Sequence, residues 1–303
     1  MKKLNACIAI ISSRTKCLRR CLESLHNNYN YKYDYPVYVI YFDDIYDNED
    51  YRNEVHKNIS DNIHFRSIPY KSPSHILESE MFYNQNDLWY VKNGSFNISR
   101  KGYLHMCNYW INFYGYPNTE FEKYDFLMTL DDESGYTKMM EEDPFKVISE
   151  KGIEMAAYIS GQRLRNGNPH QGHRDTRTGL WSFTKDFMVS NGVIPKYQPL
   201  REMVSLSDEE GGEKFHFLPW SDTYVFNMSF ARTELWRKWV KAVNDNGGVY
   251  KYRWGDNEII SLYGMMTQED GITNLGYVKG GFHDQGLFRS SQNLAPSVKD
   301  TSK

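Results

Sequence analysis

The stretch that decides the fold is Tyr124-Asp125-Phe126-Leu127-Met128-Thr129-Leu130, followed without a break by Asp131-Asp132-Glu133. Seven mainly aromatic and aliphatic residues between charged flanks predict a buried strand. Side chains alternate faces along a strand, so Asp131 and Glu133 are expected to project together from its end. Two carboxylates so placed offer oxygen ligands to a hard divalent cation. Such a cation can neutralise a diphosphate as it leaves, the demand made by a nucleotide-activated donor. The plainer alternative is a solvated acidic turn that ends a strand.

Working outward, Ala6-Cys-Ile-Ala-Ile-Ile11 predicts a first buried strand, Ser12-Ser13-Arg14 a turn, and Lys16 to His26 a helix whose apolar face carries Leu18, Cys21, Leu22 and Leu25. Pro36 to Phe42 predicts a second strand that ends in Asp43-Asp44. Strand, helix, strand in that order argues for an α/β fold with parallel strands, whose ligands bind outside the carboxyl ends of the strands. Ser12, Ser13, Arg14, Asp43, Asp44, Asp131 and Glu133 all fall at such ends. Three strands delivering polar groups to one edge is a stronger signal than any one of them.

Further along, His64 to Pro69 predicts a strand, Tyr70 to Gly102 an irregular aromatic segment, and Lys101 to Ile111 a helix that brings Tyr103 and His105 near the third strand. Ile153 to Ile159 suits a strand, Trp181 to Asn191 and Thr233 to Asn244 suit helices, and Ser160 to Gly179 and Arg201 to Gly212 read as loops. His170 and His173 have an H-x-x-H spacing but no intervening glutamate on a helix, so solvated loop histidines account for them. One catalytic domain is expected over residues 1–289, with a polar tail over 290–303.

Composition narrows the function classes. At 303 residues the chain can bury a sizeable core, and its net charge of -3 gives no general attraction to nucleic acid or anionic lipid. Aromatics make up 16% of residues, including 24 tyrosines, a composition that suits sugar and base recognition but also follows from codon bias. Four cysteines lack zinc-finger spacing and, at this length, indicate no disulfide framework. The apolar run after the basic start ends at Ile11, too short for a signal peptide or a membrane span, so the chain is expected to be soluble as written. Sequons at Asn58, Asn93, Asn97 and Asn227 are expected by chance in so Asn-rich a sequence.

In the second half, Tyr252-Arg-Trp-Gly-Asp-Asn-Glu258 opens onto Ile259-Ile260-Ser261-Leu262 and puts Asp256 in the N-cap position of a helix. A capping aspartate needs no other task. Beside a tryptophan and an arginine, it would equally suit gripping a sugar hydroxyl.

Five blocks then carry a resemblance. They are Ser99-Arg-Lys-Gly-Tyr-Leu-His-Met-Cys107, the Tyr124 strand with its acidic end, Asp143-Pro-Phe145, Thr178-Gly-Leu-Trp181 and Gly247-Gly-Val-Tyr-Lys-Tyr-Arg-Trp-Gly-Asp256. In order and separation they resemble the fungal α-1,2-mannosyltransferases, glycosyltransferase family 15, from Ala6 to about Gly286. The resemblance implies a GT-A fold with a mixed central sheet flanked by helices, a GDP-mannose donor, a Mn2+ ion, a glycan or glycoprotein acceptor and retention of anomeric configuration. Residue by residue, it implies Asp131 as metal ligand with Glu133 in support, Tyr103 beside the donor, Arg14 near the nucleotide, and Asp44 after the second strand, with Ser13 in the same turn as Arg14.

Two departures accompany the match. A gapless comparison back from Leu235-Trp236 places Asn227-Met228-Ser229 where the family has Asn-Phe-Glu, and serine does not replace a carboxylate as glycosyl nucleophile without activation. The expectation is therefore same-face attack assisted by the leaving diphosphate, with Asn227 or Ser229 orienting groups at the anomeric centre. The family's Gly-Tyr-x-His ligand reads Gly276-Tyr-Val-Lys279 here; Lys279 would pair with the diphosphate and His283 supply the imidazole. The resulting expectation is a retaining hexosyltransferase in which Asp256 meets the acceptor or the donor sugar. Alternatives are an inactive relative that binds glycan or nucleotide sugar, and a metal-dependent phosphohydrolase. Family members are typically Golgi-anchored; a cytosolic or virus-encoded relative, or a Golgi domain whose anchor has been removed, is expected here.

Overall fold

The computed structural model describes residues 3–12, 15–42, 46–69, 72–94, 96, 98–113, 120–158, 176–214, 218, 221 and 223–277. Among the described residues seven strands form one sheet: β1 (Ala6–Ile11), β2 (Val37–Tyr41), β3 (Ile63–Ser67), β4 (Phe126–Asp131), β5 (Met155–Ala157), β6 (Thr223–Asn227) and β7 (Thr273–Asn274), in the spatial order β3-β2-β1-β4-β6-β5-β7. The first four run parallel, β6 is antiparallel to both β4 and β5, and β7 is parallel to β5. The helices among the described residues are α1 (Thr15–Asn28), α2 (Glu49–His56), α3 (Trp89–Lys92), α4 (Lys101–Asn112), α5 (Pro144–Lys151), α6 (Leu180–Ser190), α7 (Gln198–Met203), α8 (Asp208–Lys214), α9 (Glu234–Asn246), α10 (Gly248–Lys251) and α11 (Asp256–Thr267). The loop expected over Arg201 to Gly212 holds only at 204–207; Arg201 to Met203 end α7, and Asp208 onward is α8, whose acidic first turn, Asp208-Glu209-Glu210, favours a helix start.

The continuous apolar runs of β1 and β4 follow from burial on both faces. Cys7 and Ala9 of β1, Leu127 of β4 and Tyr224 and Phe226 of β6 enter one core, with α4, α9 and α11. Ala6, Ile8 and Ile10, with Met128, Leu130 and Val225, enter the other, under α1 and α5. The second core holds a buried carboxylate. Asp143 accepts hydrogen bonds from the hydroxyls of Tyr29 (2.8 Å) and Tyr35 (2.7 Å) and from the backbone N–H of Phe145 (3.1 Å), and so caps α5. Burial raises its pKa, and those three donors and the Lys146 N–H oppose the rise.

The register of the sheet fixes which residues meet. Ile11 pairs with Asp131, so β1 and β4 end together. Because β6 is antiparallel, Thr223 stands beside Leu130, whereas Asn227 stands beside Phe126. The start of β6, not its end, therefore reaches the carboxyl edge of the parallel strands.

Asp143→Ala would strand two buried tyrosyl hydroxyls and remove a helix cap, so a loss of about 3 kcal/mol is expected in urea unfolding. Asp143→Asn keeps an acceptor oxygen and should lose less.

Candidate active site

The carboxyl edge of the sheet is built around the end of β4. The strand ends at Asp131 itself, and Asp132 and Glu133 form the turn that follows, so strand alternation does not relate Asp131 to Glu133. Asp131 is half-buried, whereas Asp132 and Glu133 are buried. The Ser12 hydroxyl, at the end of β1, donates to the Asp132 carboxylate at 2.8 Å and lies 2.9 Å from the Tyr46 hydroxyl. The thiol of Cys21 and the N–H of Ser134 both point at the Asp131 carbonyl, at 3.6 and 3.1 Å. The acidic triplet is thus no solvated turn; its second and third members are packed inside the fold.

Opposite lies the N-terminus of α11. Asn257 accepts at one side-chain oxygen from the Ser221 N–H (3.0 Å) and the Tyr224 hydroxyl (2.7 Å), fastening α11 to the start of β6. The Ser221 hydroxyl in turn donates to the Tyr158 carbonyl (2.8 Å). The preceding turn has Trp254 buried with its indole N–H on the Thr178 carbonyl (2.9 Å). A methyl group on Gly248 would come within 2.2 Å of the Trp254 ring, so glycine is required there. Glu258 reaches Arg177 at 3.5 Å.

Asp256 is the first residue of α11, and Gly255 holds the N-cap position that the sequence assigned to Asp256. The carboxyl is therefore not engaged as an N-cap. It is buried beside Cys107, which lies one turn beyond Tyr103 on α4. Burial raises the Asp256 pKa to about 7, opposed by the Cys107 thiol and the N–H groups of Asp256 and Asn257, and reinforced by Glu258. Burial likewise raises the Tyr103 hydroxyl and pushes His105 down to about 4, so His105 is neutral at pH 7. His105 Nδ1 hydrogen-bonds the Tyr250 hydroxyl at 3.2 Å, and its ring packs against Phe42 just beyond β2. That contact brings α4 to the same carboxyl edge.

Of the residues singled out from the sequence, Asp131, Glu133, Tyr103 and Asp256 are distributed around this edge. Asn227 and Ser229 are not: five residues along β4 from Asp131 put Phe126, and hence Asn227, about 16 Å away at the opposite edge. Asn227 is occupied there with a local turn, accepting from the Ser229 N–H at 3.1 Å. The gapless placement of these two residues at the anomeric centre is corrected accordingly. Ser13, Arg14, Asp44, Lys279 and His283 lie outside the described residues, as do His170 and His173. The sequence reading missed Ser221, Asn257 and the aromatic surroundings of Arg253, because the direction of β6 and the path of the irregular segment after β3 leave no periodic signal.

Among the described residues no group of three or more His, Cys, Asp and Glu is placed to hold a metal. The carboxylate oxygens of Asp131, half-buried at the strand end, are of the kind a hard divalent cation takes, and in that respect the edge fits such an ion.

The raised Asp256 pKa has a consequence for stability. Between pH 4 and 7 the folded chain keeps a proton that the unfolded chain has released, so this group makes stability fall as pH rises across that window and leaves it flat above. Asp256→Asn should remove that slope and, above pH 7, unfold at higher denaturant than wild type, as read by urea titrations at pH 5 and 8.

The comparisons with known proteins agree with this architecture. The profile described as glycolipid 2-alpha-mannosyltransferase, glycosyltransferase family 15, matches residues 1–286. The chain is 22% identical over 287 residues to the O-glycoside alpha-1,2-mannosyltransferase omh1 of Schizosaccharomyces pombe, covering 91% of this chain and 69% of that protein. It is 24% identical over 260 residues to a glycolipid 2-alpha-mannosyltransferase of Saccharomyces cerevisiae, covering 82% of this chain and 54% of that one. It thus spans between about half and two thirds of these relatives' length. The X-ray structure of the mannosyltransferase Ktr4p from S. cerevisiae superposes with a TM-score of 0.70 at 17% identity, covering 93% of this chain and 70% of that one. Core-mannan synthase A from Aspergillus fumigatus, in its Mn/GDP form, gives 0.67 at 17% identity, with 87% and 70% covered. The fold is that of the GT-A glycosyltransferases, with the mixed sheet and flanking helices expected from the sequence. With the profile match running through the whole sheet and both halves of the site, the chain belongs to glycosyltransferase family 15, the glycolipid 2-alpha-mannosyltransferase family.

Proposed function

We propose that the protein is a retaining mannosyltransferase that moves mannose from GDP-mannose to a sugar hydroxyl at the carboxyl edge of its sheet. The observation that carries the reading is the placement of half-buried Asp131 at the end of β4, across from the α11 N-terminus with buried Asp256, in a chain that matches family 15 over residues 1–286. The Mn/GDP form of core-mannan synthase A supports a guanosine diphosphate leaving group and a divalent metal.

In this reading Asp131 holds the cation, with Glu133 stiffening the turn behind it. The bound cation would neutralise negative charge on the diphosphate as its bond to the sugar breaks. Tyr103, partly buried on α4, lays its ring beside the donor. Asp256 receives a hydroxyl of the donor sugar or the acceptor; a pKa of about 7 lets it switch between accepting and donating that hydrogen bond near neutrality. With Asn227 and Ser229 at the far edge, the described residues supply no protein nucleophile from that part of β6. Retention then follows from same-face attack. The acceptor oxygen bonds to the anomeric carbon as the phosphate oxygen departs, and the departing phosphate takes the acceptor's proton. The acceptor is a glycan or a glycoprotein.

The test is donor turnover with Mn2+ and with chelator, in wild type and Asp131→Asn. Mannose release or transfer from GDP-mannose is expected with Mn2+ only, and at least about 100-fold slower in the variant. Sugar release from no donor under either condition would mean a binding module. Hydrolysis of simple phosphate esters without nucleotide would mean a phosphohydrolase.

A further inference from the structure

We propose that Arg253 is a phosphate-binding residue of this site, holding its guanidinium in an aromatic cage from which it meets a phosphoryl group of the ligand. The backbone comes first. Arg253 has φ 58°, the left-handed region where glycine or asparagine costs least, yet an arginine occupies it. That conformation turns the chain between the α10 helix and buried Trp254, and the arginine side chain packs against three other rings. The guanidinium carbon lies 4.5 Å from the Tyr103 ring centre, 5.1 Å from Tyr90 and 5.5 Å from Phe96.

Three aromatic faces fix the position of the cation and offset part of its lost hydration, but they supply no counter-charge. Among the described residues Arg253 forms no ion pair with a carboxylate, and its Nε is buried without a hydrogen-bond partner. Glu258, in the first turn of α11, favours the Arg253 charge from a distance but makes its ion pair with Arg177. Arg253 is half-buried as a whole residue rather than sealed in the core. A caged, planar cation with donors to spare matches the paired oxygens of a phosphoryl group. Its place agrees: Tyr103 is the ring it packs against most closely, and Asp256 is three residues along the same turn.

The inference rests on the donor-site reading above. Phosphate could reach Arg253 as the diphosphate of the donor or as a phosphate ester on the acceptor, and binding measurements separate the two. Calorimetry with Mn2+ present would use the full chain as wild type, Arg253→Met and Arg253→Lys, against GDP, guanosine and mannose 6-phosphate. Arg253→Met should weaken GDP about 10- to 100-fold while leaving guanosine unchanged, and Arg253→Lys, which keeps the charge but loses the fork, should fall between. Loss of mannose 6-phosphate with GDP unaffected would assign the same role to an acceptor phosphate. If Arg253→Met loses guanosine as well, the fold has been disturbed and Arg253→Lys decides. GDP and mannose 6-phosphate binding by Arg253→Lys at wild-type strength would then overturn the proposal. Wild-type affinity for both phosphate ligands in Arg253→Met would do so too. Failure of wild type to bind any of the three ligands would overturn the donor-site reading itself, and the role of Arg253 with it.

Discussion

The site depends on one buried hydrogen bond, from the Ser12 hydroxyl to the Asp132 carboxylate at 2.8 Å. It joins the ends of the two central parallel strands, β1 and β4, whose register already brings Ile11 opposite Asp131. A carboxylate so deeply buried is tolerated only with partners, and the Ser12–Tyr46 contact extends the network toward the segment after β2. With Asp132 anchored inward, the chain turns immediately after Asp131. That residue is then left half-buried at the rim, where a ligand can meet it.

The other half of the site is fixed by different means. Asn257 draws the start of α11 onto the start of β6 through two hydrogen bonds to one oxygen. Gly248 leaves room for the Trp254 ring against the start of α10, and Arg253 adopts a left-handed backbone in the turn between them. The result is a short, strained connection that puts Asp256 at the first position of a helix while burying it against Cys107. A helix N-terminus ordinarily favours a charged carboxylate. Here burial outweighs that effect and raises the pKa to about 7, the kind of conflict between local rules that marks functional positions.

The parallel half of the fold could be read from the chain because each central strand is apolar throughout and ends abruptly in polar residues. Ala6–Ile11 emerged with those bounds, and the Tyr124 strand begins only two residues later than expected. The direction of β6 left no mark in the sequence, and Asn227 was assigned to the anomeric centre by the gapless comparison alone; the antiparallel pairing with β4 sets it beside Phe126 instead. Glu133 was expected to share a face with Asp131 because alternation was carried past the residue where the strand ends. The one-residue error at Asp256 follows from a cap made by glycine, which leaves no side-chain signature. The Arg-Trp-Gly-Asp turn was conspicuous in sequence, but Tyr90 and Phe96 come from a segment without periodicity and joined it only in three dimensions.

In the function proposed above, a divalent cation and a guanosine diphosphate meet at the carboxyl edge beside Asp131. An anomalous difference map, collected near the manganese absorption edge from crystals grown with Mn2+ and GDP, tests it most directly. A single strong peak is expected about 2.2 Å from an Asp131 carboxylate oxygen, with the diphosphate beside it on the α11 side. A nucleotide bound elsewhere, or a manganese peak at the opposite edge of the sheet near Asn227, would contradict it.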